Sequence, residues 1–406
     1  MTDVLADRAA TLDAADPLAA LRDRFVAAPG VTAYLDGNSL GRPLAGTAEA
    51  MAAFVTEQWG GRLIRGWDES WMAEPQRLGD AIGRVALGAA PGQVLIGDST
   101  TVLLYKAARA AVAARPGRRE IVLDAANFPT DRYLLAGIAE ETGCRLVVLE
   151  PPDDAGVTPD DVAAAVGPDT ALVLLSHVAF RSAYVADAAA ITRIVHDAGA
   201  LVLWDLSHST GAVPVELDAW GADLAAGCTY KYLNGGPGSP AFVYVASRLQ
   251  SELRQPIQGW LGTADPFRMG ERYEPSDGVR RFTSGTPPVL GMLPIGRMVA
   301  LVEEAGLAAV RAKSVALTSF AIEVWERLLE PEGVRLRSPR EPERRGSHVM
   351  LAHPAFADLV GRLWARGVIP DFRPPDGLRI GLSPLSTSFA EVLAGLSAVG
   401  EELTTA

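Results

Sequence analysis

The sequence predicts an α/β protein: a large domain with a mostly parallel sheet between helices, and a smaller α+β domain after it. Three observations carry this. Between about residues 95 and 245, short apolar runs alternate with stretches whose apolar residues recur at helical spacing. The runs are continuous in Val and Leu rather than alternating, as suits strands covered on both faces. The chain then closes with a short strand–helix–strand–helix series, and 406 residues suffice for two domains at roughly 150 residues each.

In chain order, the expected strands are 120–124, 145–149, 171–176, 201–205 and 241–245. The helices between them are 101–114, 131–141 and 187–198. This spacing makes βαβ units with crossover helices. Pro and Gly punctuate 255–294, a loop-rich layer, with a helix expected from about residue 293. A long helix is expected over 311–329, and the Arg-, Glu- and Pro-crowded 331–346 reads as a solvated hairpin or mobile loop. Strands at 348–353 and 378–382 and helices at 356–366 and 389–403 make the small unit. The division expected is 1–60 as an N-terminal segment packing on the small domain or a partner, 61–292 as the large domain, and 293–406 as the small one.

Composition narrows the function. A net charge of −12 argues against a surface that neutralises nucleic-acid phosphates. No apolar stretch reaches the roughly 18–20 residues of a membrane span, and the first residues show no secretory pattern. Cys144 and Cys228 are the only cysteines and form no CxxC pair, so neither a disulfide framework nor a cysteine-type zinc site is expected, and no metal. The expected compartment is the reducing cytoplasm.

All but three of the 37 basic residues are Arg, so chemistry needing a primary amine has only Lys106, Lys231 and Lys313 as candidates. Lys106 and Lys313 fall within amphipathic helices, where a solvated or snorkelling side chain is the default. Lys231 lies at a strand-to-loop junction, between Tyr230 and Tyr232 and just before Gly235-Gly236. Desolvation there would lower its pKa and make it a nucleophile toward a carbonyl. Asp205 ends a strand, where open α/β sheets deliver functional groups; alone, it could simply cap the following turn. Together the pair describes a pyridoxal phosphate (PLP) site, with the Lys linked to the cofactor and the Asp holding its pyridine nitrogen protonated. Asp98-Ser99-Thr100-Thr101 opens a helix. That helix start could bind a phosphate, although an ordinary N-cap explains the segment equally well. Gly235-Gly236-Pro237-Gly238 lacks the spacing of a nucleotide loop.

These residues sit among others that occur in a fixed order. They are Tyr34-Leu35-Asp36-Gly37-Asn38-Ser39-Leu40-Gly41, Asn127-Phe128-Pro129-Thr130-Asp131, Asp205-Leu206-Ser207-His208-Ser209, Thr229-Tyr230-Lys231-Tyr232-Leu233-Asn234, Gln258-Gly259-Trp260 and Thr283-Ser284-Gly285-Thr286-Pro287-Pro288. In this order, from about residue 34 to 390, the chain resembles the kynureninase family, fold-type I PLP enzymes of the aminotransferase class V group. The resemblance implies that Lys231 forms the Schiff base with PLP and that Asp205 pairs with the pyridine nitrogen. Phe128 would stack on the ring, and Thr100, Thr101 and Tyr230 would hold the phosphate. Ser176 and His208 would lie around the ring, and Asp131 would complete the cofactor set. Trp260 and Thr286 resemble residues that a partner subunit lends, implying a homodimer with active sites at the subunit interface. Arg379 would bind the substrate carboxylate, with Ser39 and Trp67 lining the substrate side.

By the same resemblance, Lys231, Tyr230 and Asp205 would be catalytic. The reaction would be hydrolysis of the Cβ–Cγ bond of L-kynurenine to anthranilate and L-alanine, as in tryptophan catabolism or NAD biosynthesis. The 3-hydroxy substrate would give 3-hydroxyanthranilate. The alternative within the fold is a cysteine desulfurase or selenocysteine lyase, which needs a thiol on a mobile loop. Neither Cys144 nor Cys228 is placed for that.

Overall fold

The computed structural model describes residues 2–405. The N-terminal segment holds α1 (Thr2–Ala14), β1 (Ala33–Tyr34) and α2 (Thr47–Ala53). It leads through short helical turns to α3 (Glu74–Ile82) and β2 (Val94–Gly97). The alternating series follows: α4 (Thr100–Ala113), β3 (Glu120–Asp124), α5 (Pro129–Thr142), β4 (Arg145–Leu149), α6 (Pro159–Ala165), β5 (Thr170–Ser176), α7 (Ala188–Asp197) and β6 (Leu201–Asp205). Then come α8 (Leu217–Trp220), β7 (Leu224–Gly227) and β8 (Ala241–Val245). These strands form a seven-stranded sheet in the order β2-β8-β7-β6-β5-β3-β4. Pairing is parallel from β7 to β4, and β8 runs antiparallel to both its neighbours.

The sheet forms where continuous apolar runs predict it, because helices cover both faces and exclude water from every residue of β6 and β8. Two of its strands, β2 and β7, lie outside the expected set. The sequence of β7 is Leu-Ala-Ala-Gly, whose small side chains carry little strand signal. It is nevertheless buried between β6 and β8.

Beyond a loop-rich layer lie α9 (Val289–Ala305) and α10 (Leu307–Leu328). The first starts four residues before the expected position and runs through Pro294. Met292, Ile295, Met298 and Val302 of α9, with Val310 of α10, belong to the core around the large sheet. The change of core therefore falls one helix after residue 292. The second core collects Leu317 to Val399 and takes in Leu5, Ala9, Ala33 and Leu35 from the N-terminal segment. It is built on β9 (Arg335–Leu336), β10 (His348–Ala352), α11 (Phe356–Ala365), β11 (Val368–Ile369), β12 (Asp371–Arg373), β13 (Gly377–Gly381) and α12 (Phe389–Thr404). Four of these strands form a sheet in the order β12-β13-β10-β9, and β1 pairs with β11.

One expectation holds in part and another is corrected. The 331–346 stretch contains β9, which forms an antiparallel hairpin with β10, and much of the stretch is exposed, but it is anchored rather than a free loop. Arg345 is buried and donates to the carbonyls of Pro339 and Arg340 and to Ser319 Oγ, so its charge is used internally. Lys106 and Lys313 are also buried. Each is paired, Lys106 with Asp98 and Lys313 with Asp16 at 2.6 Å. Amphipathic spacing alone does not reveal a carboxylate supplied from elsewhere in the chain.

The Lys313–Asp16 pair ties the N-terminal segment to α10 with almost no solvent contact on either side chain. Nearby, Asp13 accepts the backbone N–H groups of Phe389 and Ala390, capping α12 from outside. Removing one member of a buried pair strands the other charge. Asp16→Asn is expected to lower unfolding free energy by about 3 to 5 kcal/mol, read from urea midpoints. An Asp16→Leu/Lys313→Met double replacement should recover most of the loss.

Candidate active site

A crevice of about 520 Å³ opens at the carboxyl ends of the parallel strands. The chain leaves β3 toward β4 on one side and enters β5 on the other, and such reversals of strand order leave room for a ligand. Five connections furnish its walls: β2 to α4, β3 to α5, β6 to α8, β7 to β8, and the loop that leads into α9.

Asp205 is the last residue of β6, paired in register with Ser176 of β5 and Ala226 of β7. Its Oδ1 accepts the Ser207 N–H at 2.8 Å. Lys231 follows the end of β7 on a turn that the N-terminal segment holds down. Gly41 N–H donates to Tyr230 O at 2.8 Å, and Asn234 Nδ2 donates to Arg42 O at 2.7 Å. A side chain at Gly41 would come within 2.4 Å of Lys231 O, so only glycine permits this approach.

The Lys231 amine is buried, 3.2 Å from His208 Nε2 and 3.5 Å from its Nδ1. It also lies 5.9 Å from the ring centres of both Phe128 and Tyr230. Burial pushes the Lys231 pKa below the usual lysine value, partly opposed by Cys228 and Asp205. Burial, then the Lys231 charge, holds His208 well below the usual histidine range, so its ring is neutral. Burial raises the Tyr230 phenol and keeps it protonated. Asp131 is held well above the usual carboxylate range by burial and then by Asp205 and Asp124; one of its oxygens, Oδ2, is buried without a hydrogen-bond partner.

At the other end of the crevice, Ser99 caps α4 by accepting the Val102 N–H. The amides of Thr100 and Thr101 precede any intrahelical acceptor and are free for a ligand. Thr100, Thr101, Thr130 and Ser239 line this end, and Thr286 closes it. Gly238-Ser239-Pro240, part of the glycine-rich turn set aside as a nucleotide loop, contributes wall here. Thr130 and Ser207 stand in the motifs quoted above without an assigned role, and sequence reasoning did not single out Ser239 at all; a lone hydroxyl residue carries no signal until the fold groups it with others.

Of the expected site residues, Thr100, Thr101, Phe128, Asp131, Asp205, His208, Tyr230, Lys231 and Thr286 line this one crevice. Ser176 instead lines a small hollow beside Asp124 and Asn127. Trp67 and Trp260 share a separate apolar hollow of about 220 Å³, reached across Thr286. Arg379, on β13, is buried. It donates to Ser39 Oγ at 2.6 Å and to Phe180 O at 3.0 Å, and pairs with Asp371 at 2.6 Å. Phe180 in turn sets its ring edge-to-face against Phe128 at 5.3 Å. Arg379 and Ser39 thus sit one residue behind the crevice wall.

The donor set fits PLP. Free helix-start amides and hydroxyls suit a phosphate, a buried amine suits the aldehyde, and a carboxylate stands at the opposite end beside a flat aromatic face. Among the described residues no group of three or more His, Cys, Asp or Glu is arranged to hold a metal ion, and no helix is long and apolar enough to cross a membrane.

The fold and this lysine-centred crevice define a fold-type I PLP-dependent enzyme. Solved structures of similar fold include a cysteine desulfurase from Thermococcus onnurineus NA1, with TM-score 0.81 and 17% identity over 92% of this chain and 95% of that one. A C-DES variant with glycine covalently linked to its PLP cofactor matches with TM-score 0.77 and 19% identity, over 90% of this chain and 96% of that one. At such identity these neighbours share the fold alone. Residues 310–399 match the kynureninase C-terminal domain family. The kynureninase of Pseudomonas fluorescens is 42% identical over 97% of this chain and 94% of that protein. The kynureninase of Burkholderia pseudomallei (strain 1106a) is 43% identical over 95% of this chain and 92% of that protein. The chain belongs to the kynureninase family, and its cofactor is PLP.

Asp124, at the end of β3, has its pKa raised by burial to about 7. Its unfolded-state value is near 3.8, so the unfolded chain releases this proton first as pH rises. The group therefore removes stability between about pH 4 and pH 7, on the order of 4 kcal/mol over the window. Asp124→Asn should match the parent near pH 4 and be progressively more stable by pH 8, as measured by urea unfolding across that range.

Proposed function

We propose that this enzyme hydrolyses the Cβ–Cγ bond of L-kynurenine, with water, to anthranilate and L-alanine. The observation that carries this is the buried Lys231 amine in a PLP-fitting crevice of a chain 42% identical to a kynureninase over nearly its whole length.

Bound at Lys231, PLP supplies an electron sink for charge developed at the substrate's α-carbon. The residues divide the remaining work. Lys231, its amine's pKa lowered by burial, is the nucleophile that takes up the cofactor and then a base for the α-proton. Asp205 keeps a proton on the pyridine nitrogen. Phe128 covers one face of the ring and excludes water from it. Neutral His208, beside the amine, accepts a hydrogen bond without adding charge. Thr100, Thr101 and Tyr230 hold the phosphate. Tyr230, protonated at neutral pH, is also a proton donor to the carbon that becomes the alanine methyl group. Arg379, oriented by Ser39, receives the substrate carboxylate; a planar fork suits that partner. Trp67 walls the anthraniloyl side.

We further infer a homodimer in the cytoplasm. Ile64 (77% exposed), Trp260 and Phe267 leave an apolar patch around the hollow beside the crevice. A patch of this kind favours cover by a second copy. Both cysteines are free, as suits a reducing compartment. The desulfurase alternative has weaker support: Cys228 is buried with its Sγ 3.8 Å from Ser207 O, and neither cysteine lines the crevice.

The test is to incubate PLP-loaded protein with L-kynurenine, and separately with 3-hydroxykynurenine, following anthranilate fluorescence and released alanine. Equal amounts of the two products are expected, and Lys231→Ala should abolish both. A yellow protein that releases neither product from either substrate would overturn the assignment. Arg379→Lys should raise KM about 10- to 100-fold with a smaller change in kcat. Sedimentation should give twice the chain mass.

A further inference from the structure

Lys106 has no part in the chemistry above, yet it is one of the largest fully buried side chains. It lies on the inward face of α4 among Leu103, Leu104 and Ala107, where an unpaired ammonium would be strongly unfavourable. Helical side chains lean toward the helix N-terminus, so this ammonium extends back beneath the first turn of α4. There it makes two contacts. One is an ion pair with Asp98, and the other is a hydrogen bond to Phe282 O at 2.9 Å.

The two partners flank the phosphate end of the crevice. Asp98 directly precedes Ser99, the cap of α4, and lines the crevice beside Thr100 and Thr101. It holds a left-handed backbone (φ +42°) that a non-glycine residue rarely adopts, and its carbonyl accepts Ala241 N–H at 2.9 Å. Phe282 directly precedes the segment 283–286, whose Thr286 closes the same end. Gly259 abuts that segment so closely that a Cβ would come within 1.8 Å of Ser284 O. One buried cation therefore joins the start of α4 to the opposite wall.

We propose that Lys106 is a positioning residue for the cofactor phosphate. Its ammonium fixes the two walls at the spacing a phosphate needs, and it cancels the Asp98 charge that would otherwise face the dianion. Without it, an unneutralised carboxylate would stand in the pocket where two negative charges must bind. The effect would be specific to the phosphate, because the pyridine ring and aldehyde would be held by Asp205 and Lys231. This inference rests on placing the phosphate at the α4 N-terminus.

The test compares two probes on apoenzyme: PLP, and pyridoxal, which has the same ring and aldehyde without the phosphate. Dissociation constants come from quenching of tryptophan fluorescence, for the parent, Lys106→Met, Asp98→Asn/Lys106→Met and Thr101→Ala. Lys106→Met should weaken PLP about tenfold or more while changing pyridoxal little. The double variant, which removes both charges but leaves the walls untied, should regain the part of the PLP affinity lost to the bare Asp98 charge. Equal losses for both probes would mean a purely structural role and overturn the proposal, as would an unchanged PLP constant. Thr101→Ala separates the two levels. If it lowers the PLP-to-pyridoxal ratio and Lys106→Met does not, only the Lys106 role fails. If neither lowers it, the phosphate placement fails as well. Should Lys106→Met not fold, Asp98→Asn decides: the ratio should hold or rise, and a fall of about tenfold would overturn the proposal.

Discussion

Keeping one primary amine out of water is the constraint on which the rest of the crevice depends. Lys231 follows a strand too small-featured to enclose it, so the enclosure comes from elsewhere in the chain. Gly41 and Arg42 of the N-terminal segment bind the turn that carries it, and the Phe128 and Tyr230 rings flank the amine. Burial lowers the amine's pKa, while Asp205 and Cys228 pull it back up. An amine that was fully charged would not attack a carbonyl, and one with no neighbouring carboxylate would be harder to bury. The segment at residues 35–42 also links the two cores. It adds Leu35 to the second core while holding the turn after β7, which belongs to the first.

Much of the large sheet was legible because burial on both faces writes itself as continuous Val and Leu runs. Residues 120–124 and 201–205 form strands as the pattern predicts. β7 was not legible: its Leu-Ala-Ala-Gly sequence is fixed by room for neighbours rather than by strand preference, and a Cβ at Gly227 would strike Phe242. The anchoring of 331–346 was hidden for a different reason. A charged stretch looks solvated until the fold supplies internal acceptors, as it does for Arg345. At the site, Asp205 stood out because it ends a strand, and Lys231 because it is the one lysine outside a helix. Arg379 could not be singled out among so many arginines except through the family resemblance, and the hydroxyls of Thr130 and Ser239 converge only in three dimensions.

The scarcity of lysine makes the three that remain instructive. All are buried, and each meets a different need: an amine beside Asp205 and His208, a tie from α10 to the N-terminal segment, and a tie beneath the start of α4. Arg could not simply replace them. Its guanidinium keeps its charge at any ordinary pH, so it cannot serve as the nucleophile. It is also broad and planar, so beneath the first turn of α4 it would need space that Leu103, Leu104 and Ala107 already fill. A compact ammonium on a flexible stem fits where the acceptors are few and close.

The two anion-binding ends proposed for this enzyme follow the same electrostatic plan. At the phosphate end, Lys106 is matched by Asp98. At the carboxylate end, Arg379 is matched by Asp371, which Arg373 also contacts at 2.6 Å, and Asp36 lies 3.9 Å away. Burial, with Asp371 adding to it, raises Asp36 to about 6, so this end can carry a proton as well as a cation. Each pocket is thereby close to neutral before any ligand arrives. A bare buried cation would attract an anion more strongly, but it would also destabilise the empty protein by the full cost of an unpaired charge. Pre-pairing accepts weaker attraction in exchange for a crevice that stays folded when empty. It shifts the task of recognising the anion onto groups that lose nothing by waiting: the free amides of α4 and the Ser39 hydroxyl already seated against Arg379.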